Sequence, residues 1–289
     1  MSDVKPAVAK LDLGRRVEPS QVVLYVVLAL IALIYIFPFL IQLSTMFKTE
    51  TDAIDNPLSL VPLTWSTAAI SKLFLNSSYP RWFLNSTIVT VFVTAGRVFF
   101  NSLAGYALAR LHFKGRNIIF AALVAIMSVP MAVLLIPRFL ILTSIGLYDT
   151  YAGMILPLLV DATGVFIMKN FFESIPVAVE ESARVDGAST FQIFWSIVLP
   201  MATPALITIA ILSFQGSWNE LSHFIVSSQN PNLATLTKGV AQLASGALGA
   251  AKQYPLKLAA ATIMTIPVVV IFFIFQRRIM NVGGGAVKE

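Results

Sequence analysis

Twenty-seven consecutive residues, Gln21 to Phe47, contain no Asp, Glu, Lys or Arg, and similar stretches recur down the chain. A hydrocarbon layer about 30 Å thick needs roughly 20 apolar residues in a helix rising 1.5 Å per residue. Trp82–Ala109 meets that need with only Arg97 interrupting it. Asn117–Pro137 meets it with Pro130 inside, Thr150–Met168 with Asp161 inside, and Leu258–Phe275 ends at Arg277 and Arg278. The fifth span is harder to place, because no charge occurs from Gly187 to Asn219. Pro200 and Pro204 decide it, since each lacks a backbone donor and disfavours helix in the residue before it. A helix ending near Leu199 and a span starting near Pro204 are predicted, with Ser189–Leu199 lying along the membrane surface. Six spans result.

Composition agrees. The 289 residues are 57% hydrophobic and 12% charged, with mean hydropathy +0.82. Soluble domains run at about 45–50% apolar and about 25% charged, so a disordered chain and a soluble enzyme are excluded. The absence of cysteine removes disulfides, thiolate metal sites and cysteine nucleophiles. A net charge of +6 would point to nucleic acid in a soluble protein. Here it reflects cytoplasmic loops, so membrane lipid and not nucleic acid is the expected surrounding. Six spans put both termini on one side. Twelve Lys and Arg fall on that side and seven on the other, which predicts cytoplasmic termini. Lys5, Lys10, Arg15 and Arg16 resemble the start of a signal peptide. The apolar run behind them is too long for one and lacks a small-residue cleavage site, so a retained helix is expected. The outer segments near 48–81 and 226–256 read as ordered loops of one domain, and no internal repeat is apparent.

The cytoplasmic loop reads EESARVDGASTFQIFWSIVLP from Glu180. Glu180, Glu181, Arg184 and Asp186 form a charged turn expected to face water. Gly187 permits a tight bend, and Phe191, Phe194, Trp195 and Val198 fall on one apolar helical face. Two short helices joined at Gly187 would make a knob beneath the bilayer. Composition is satisfied equally by an amphipathic connector resting on headgroups.

The spacing Glu181-Ser182-Ala183, Gly187, Ile197, Leu199-Pro200 resembles the EAA motif of ABC importer permeases, with Ser182 where the family usually has Ala. Nearly the whole chain resembles the maltose-type carbohydrate uptake branch, through AGYALARLHFKGR (104–116), YAGMILP (151–157), WNE (218–220) and the tail FQRR…GGAVKE. The resemblance implies an all-α integral membrane protein with about six transmembrane helices, in the type I ABC importer permease fold with a cytoplasmic coupling helix. It implies a cytoplasmic segment 1–20, a transmembrane permease domain 21–280 with the EAA loop at about 173–203, and a cytoplasmic tail 281–289. The loop, Asp186 included, would dock on an ATPase, with Glu181 pairing with a basic group there and Gly187 shaping the bend. A second homologous permease, two ATPase subunits and an extracytoplasmic solute-binding protein are the implied partners, and a bacterial-type cytoplasmic membrane the location. No cofactor is expected on this chain, ATP and Mg belonging to the ATPases. The cargo would be a sugar or oligosaccharide. Glycerol phosphate or polyol import is the alternative, and a proton-coupled secondary carrier a more distant one.

Ionisable groups at membrane depth are costly and mark function. Arg97 lies 13 residues before Arg110, about 20 Å along a helix, and Asp161 lies within reach of it. Either they pair, or each faces a partner subunit or a wet cavity. The family pattern gives Arg97 no transport role. Trp218, Asn219 and Glu220 are candidates for the substrate path, since aromatic faces stack on sugars and amides bind hydroxyls; the alternative is an interfacial aromatic belt. His223 beside Glu220 is too little for a metal site, and Met127 and Met131 around Pro130 read as packing. The chain has no Gly-Lys dipeptide, hence no P-loop, and no nucleophile with a base. A secondary carrier would usually show two matching halves.

Overall fold

A computed structural model describes residues 19–246 and 253–284. The first 18 residues of the expected N-terminal segment and the last five of the tail lie outside them. The described residues form α1 (Pro19–Thr45), α2 (Glu50–Asp55), α3 (Ala68–Leu75), α4 (Tyr79–Arg110), α5 (Arg116–Met127), α6 (Leu135–Ser144), α7 (Tyr151–Ile155) and α8 (Ala162–Ser174). They continue with α9 (Val177–Val185), α10 (Thr190–Ile193), α11 (Leu199–Met201), α12 (Thr203–Trp218), α13 (Ser222–Ser227), α14 (Leu236–Ser245) and α15 (Tyr254–Gly284). A π-helical turn, Phe194–Val198, joins α10 to α11.

Four helical runs are long and apolar enough to cross a bilayer: Gln21–Thr45, Tyr79–Arg110, Tyr151–Ser174 and Tyr254–Gln276. Two bent pairs, α5 with Met131–Ser144 and Thr190–Met201 with α12, turn by 102° and 78°. Counting each bent pair as one span gives the expected six. The first bend falls at Pro130, so the apolar stretch Asn117–Pro137 is not one straight helix. Met127 and Met131 beside it are exposed rather than packed inside the chain. The fourth span continues past Met168 to Ser174, and Asp161 restarts it by capping α8, its Oδ2 accepting the Gly164 amide at 2.9 Å. The helix expected to end near Leu199 runs two residues further, to Met201. Pro200 follows directly on the π-helical turn, near the end of the continuous helical segment Thr190–Met201.

Lipid tails are as apolar as leucine, so helices in a bilayer associate through close packing and interhelical polar contacts. α4 provides both. It packs along α8 and α12, and Gly105 lets α8 approach closely enough that a Cβ there would lie 2.6 Å from that of Met168. Asn101 donates to Asp161 Oδ1 at 2.8 Å and accepts from the Asp161 amide at 3.2 Å. At the opposite end of α4, Asn85 holds the loop before α14, donating to the carbonyls of Asn232 (2.9 Å) and Ala234 (2.8 Å). Tyr151 donates to the Asn85 carbonyl oxygen at 2.6 Å. α1 leans on α15, where Gln42 donates to Thr262 at 3.1 Å.

Two of the three clusters of buried apolar side chains among the described residues lie at the ends of α4. One cluster contains Tyr79, Trp82, Trp218, Leu236 and Ala259. The other joins Tyr106, Phe172, Ile193, Phe194, Val198 and Ile209, and places the EAA loop against the span bundle. Gly105→Val is expected to destabilise the protein by about 1–3 kcal/mol through overpacking. A lower thermal midpoint of the detergent-solubilised protein, with unchanged helical content at low temperature, checks this.

Candidate functional site

The EAA loop folds around a corner capped from both sides. Gly187 has φ +85°, a conformation that costs other residues about 1–2 kcal/mol. Its amide donates to the Arg184 carbonyl at 3.0 Å, and that of Ala188 to the Ala183 carbonyl at 2.9 Å. These two bonds end α9 in a Schellman motif. Two residues on, Ser189 opens α10 with a reciprocal capping box, its hydroxyl accepting the Gln192 amide and its own amide donating to Gln192 Oε1 at 2.8 Å. The expected pair of short helices joined at Gly187 is therefore present. Its join is a fixed corner.

Glu180 corrects the sequence reading: it does not face water. Its side chain is 2% exposed and lies 3.0 Å from Arg110 Nε and 3.6 Å from Arg184 Nη2. The Tyr106 hydroxyl donates to Glu180 Oε2 at 3.1 Å. Arg110 also donates to the carbonyls of Phe172, at 2.6 Å, and Ile175. One carboxylate thus ties the loop to the end of α4, and the same arginine ties α4 to the end of α8. The available signal was Tyr106 and Arg110 one helical turn apart at a span end, a face that calls for an anion.

The motif residues divide by exposure. Glu181, Ser182, Asp186, Gly187 and Pro200 are exposed, Ile197 and Leu199 are half-buried, and Ala183 is buried against the bundle. Ser182 turns inward on its own helix, donating to the Ala178 carbonyl at 2.8 Å. The apolar face expected for α10 splits in two. Phe194 and Val198 are buried, while Phe191 and Trp195 are 68% and 50% exposed and stacked on one another, centroids 6.2 Å apart. The π-helical turn beginning at Phe194 shifts the angular register, so a 3.6-residue period does not carry across it.

At the far end, three successive residues take three roles. Trp218 is 3% exposed, stacked on Phe214 and edge-on to Phe83, with its indole N–H donating to the Met264 carbonyl at 3.1 Å. Asn219 is exposed. Glu220 is half-buried, accepting the His223 amide at 2.8 Å. His223 is itself buried, and its Nε2 lies 3.1 Å from the Met154 carbonyl oxygen. Burial, reinforced by Arg138, pushes its imidazole down to about 4. Among the described residues no group of three His, Cys, Asp or Glu is placed to hold a metal. Arg97 and Asp161 do meet, Nε to Oδ1 at 3.6 Å.

A bent-span helical bundle with a rigid corner clamped beneath it is the architecture of a type I ABC importer permease, and comparison with known proteins bears this out. The chain belongs to the family of binding-protein-dependent transport system inner membrane components, whose model matches residues 101–280. It is 33% identical to the arabinooligosaccharides transport system permease protein AraQ of Bacillus subtilis (strain 168) over 261 residues, 88% of this chain and 92% of that one. It is 33% identical to the inner membrane ABC transporter permease protein YcjP of Escherichia coli (strain K12), covering 93% and 97%. The diacetylchitobiose uptake system permease protein NgcG of Streptomyces coelicolor is 31% identical, covering 88% and 84%. The fold superposes on a chain from the crystal structure of a bacterial ABC transporter involved in the import of the acidic polysaccharide alginate. The TM-score is 0.80 at 25% identity, over 94% of this chain and 99% of that one.

Removing one partner of a buried ion pair costs about 3–5 kcal/mol. Glu180→Gln is therefore expected to lower the thermal midpoint of the purified protein, whereas Glu181→Gln, on the exposed side of α9, leaves it unchanged. A second expectation concerns pH. The neutral His223 imidazole takes up a proton in the unfolded chain near 6.5 but in the folded chain only near 4. Its contribution is thus complete above pH 6.5 and is lost as pH falls towards 4. At pH 5 the loss is about 1–2 kcal/mol, and His223→Gln removes that part of the pH dependence in thermal melts.

Proposed function

We propose that this chain is one of two permease subunits of an ATP-driven importer for a sugar or oligosaccharide. The relatives named for arabinooligosaccharides and diacetylchitobiose support that cargo class. In this reading the exposed face of the corner docks on a cytoplasmic ATPase subunit. Glu181 pairs with a basic group there, and the stacked Phe191 and Trp195 supply apolar contact. ATP and Mg are held by two such ATPases, and ATP hydrolysis takes place on them. A second permease completes the path, and an extracytoplasmic binding protein delivers the solute at the end carrying the 226–256 segment. Both termini are cytoplasmic, in keeping with the twelve-to-seven distribution of basic residues.

The observation that carries this reading is the double-capped corner held to α4 and α8 through Glu180 and Arg110. Packed helices move as rigid bodies, so displacement of such a corner by closing ATPases passes directly to the spans. Docking residues are then the exposed carboxylates, Glu181 and Asp186, while Ala183, Ile197, Leu199 and Pro200 keep the corner's shape. Asn219 and Glu220 face the substrate path, with Trp218 setting the position of the helix end that carries them.

Gly187→Pro cannot adopt φ +85°, and Glu181→Lys reverses the docking charge. In proteoliposomes holding the complete transporter, each is expected to abolish uptake and to leave ATP hydrolysis insensitive to loaded binding protein. Wild-type uptake should require ATP and survive a proton ionophore. Normal transport by both variants would refute the docking assignment, and ionophore-sensitive uptake without ATP would favour a secondary carrier.

A further inference from the structure

Arg97 on α4 and Arg138 on α6 lie within electrostatic reach of one another, and the chain itself offers them few acceptors. Arg97, midway along α4, donates through Nε to the Leu158 carbonyl at 2.7 Å, and its side chain is 14% exposed. Its nearest carboxylate is already engaged: Asp161 accepts from Asn101 and from the Gly164 amide. The 3.6 Å contact to Asp161 runs through Nε, so neither Nη atom has a hydrogen-bond acceptor among the described residues.

Nη1 is not walled in. It lies beside Gly216 of α12, where a Cβ would sit 3.4 Å from Nη1 with no other atom within 4 Å. Leu212, Gly216 and Asn219 form an exposed stripe on that helix. The absent side chain at Gly216 opens a window in the stripe in front of the guanidinium. Arg138 on α6 is half-buried, has no hydrogen bond among the described residues, and lies within electrostatic reach of both Arg97 and Glu220. Glu220 in turn commits Oε1 to the His223 amide.

The four side chains are formally neutral, yet the N–H donors outnumber the free carboxylate oxygens. No nitrogen of either guanidinium is among the buried unpaired atoms of the described residues, so these donors are open to an external acceptor. A planar fork of N–H groups matches carboxylate, sulfonate and phosphate oxygens. We propose that Arg97 and Arg138 form an anion site in the translocation path, and that the carried carbohydrate bears a carboxylate, sulfonate or phosphate. This rests on the reading of the chain as a sugar permease. It assigns Arg97 a role in choosing cargo, while Asn219 remains available to hydroxyl groups.

The test uses the complete purified transporter and four probes: trigalacturonate, sulfoquinovose, glycerol 3-phosphate and neutral maltotriose. Ligand-induced thermal shift and uptake into proteoliposomes are read for each. At least one anionic probe is expected to bind and to be carried, with maltotriose at least tenfold weaker. Which anionic probe wins identifies the acid group. Arg97→Gln and Arg138→Gln are each expected to weaken that probe tenfold or more, and Arg97→Lys to lose less.

Should a glutamine variant fold poorly, the lysine variant's affinity relative to wild type still decides the matter, an unchanged value counting against the proposal. ATP-driven maltotriose uptake that Arg97→Gln leaves untouched would overturn the anion site while leaving the sugar-permease reading intact. Failure of all four probes to bind, with Arg97→Gln destabilising the probe-free transporter, would mean that a partner-subunit acid satisfies the arginines, and the proposal falls. ATP-driven uptake of none of these probes, and of no other carbohydrate, would defeat the sugar reading and the anion site together.

Discussion

A carboxylate withdrawn from water at the edge of a bilayer is tolerated only when its charge is matched. Glu180 has its charge matched, and its Oε2 accepts a hydrogen bond, while Oε1 faces Arg110 through charge alone. Arg110 and Arg184 supply the positive charge, and the Tyr106 hydroxyl supplies a further donor. The rest of the cytoplasmic end is arranged around that match. Phe172 and Phe194 pack on the Tyr106 ring, with centroids 5.8 and 4.9 Å away. Arg110 takes up two carbonyls at the end of α8. The loop is thereby joined to two spans at once.

The interior follows a related economy. Because hydrocarbon gives helices no solvophobic reason to meet, α4 uses small residues where α8 crosses it and side-chain amides where loops must be held. Asn101 grips the Asp161 turn, and Asn85 grips the segment leading into α14. Large apolar side chains remain on the outside, above all along α1, whose residues from Val22 to Leu43 are mostly exposed.

Much of this was legible in the sequence, and the remainder was hidden for definable reasons. Uncharged length marked the long spans, and Pro200, Pro204 and Gly187 marked the breaks, because each restricts the backbone locally. The EAA spacing marked the corner. The burial of Glu180 was not readable: α9 carries Glu180, Glu181 and Arg184 within a few residues, and the group that selects among them, Tyr106, is 74 positions distant. The separation of Phe191 and Trp195 from Phe194 depends on a π-helical turn that no residue type announces. Pro130 was placed inside the third span, and the 102° turn beside it was not read; the segment beyond it, α6, packs on α13 far along the chain. At the far end, Trp218 had an obvious chemistry for sugars, yet its indole is spent on Phe214, Phe83 and a backbone carbonyl. Arg97 carried no family signature, and the opening in front of it arises from a glycine on another helix.

The two caps flanking Gly187 have a consequence for where the molecule can yield. A corner whose backbone donors are satisfied on both sides has high torsional stiffness, so an imposed torque is not absorbed there. The next turn along the chain, 78° at Ala202, is braced as well: its amide donates to the Val198 and Leu199 carbonyls, and the residue is buried. A torque applied at the corner is therefore handed on to α12, and with it to the position of everything that α12 carries.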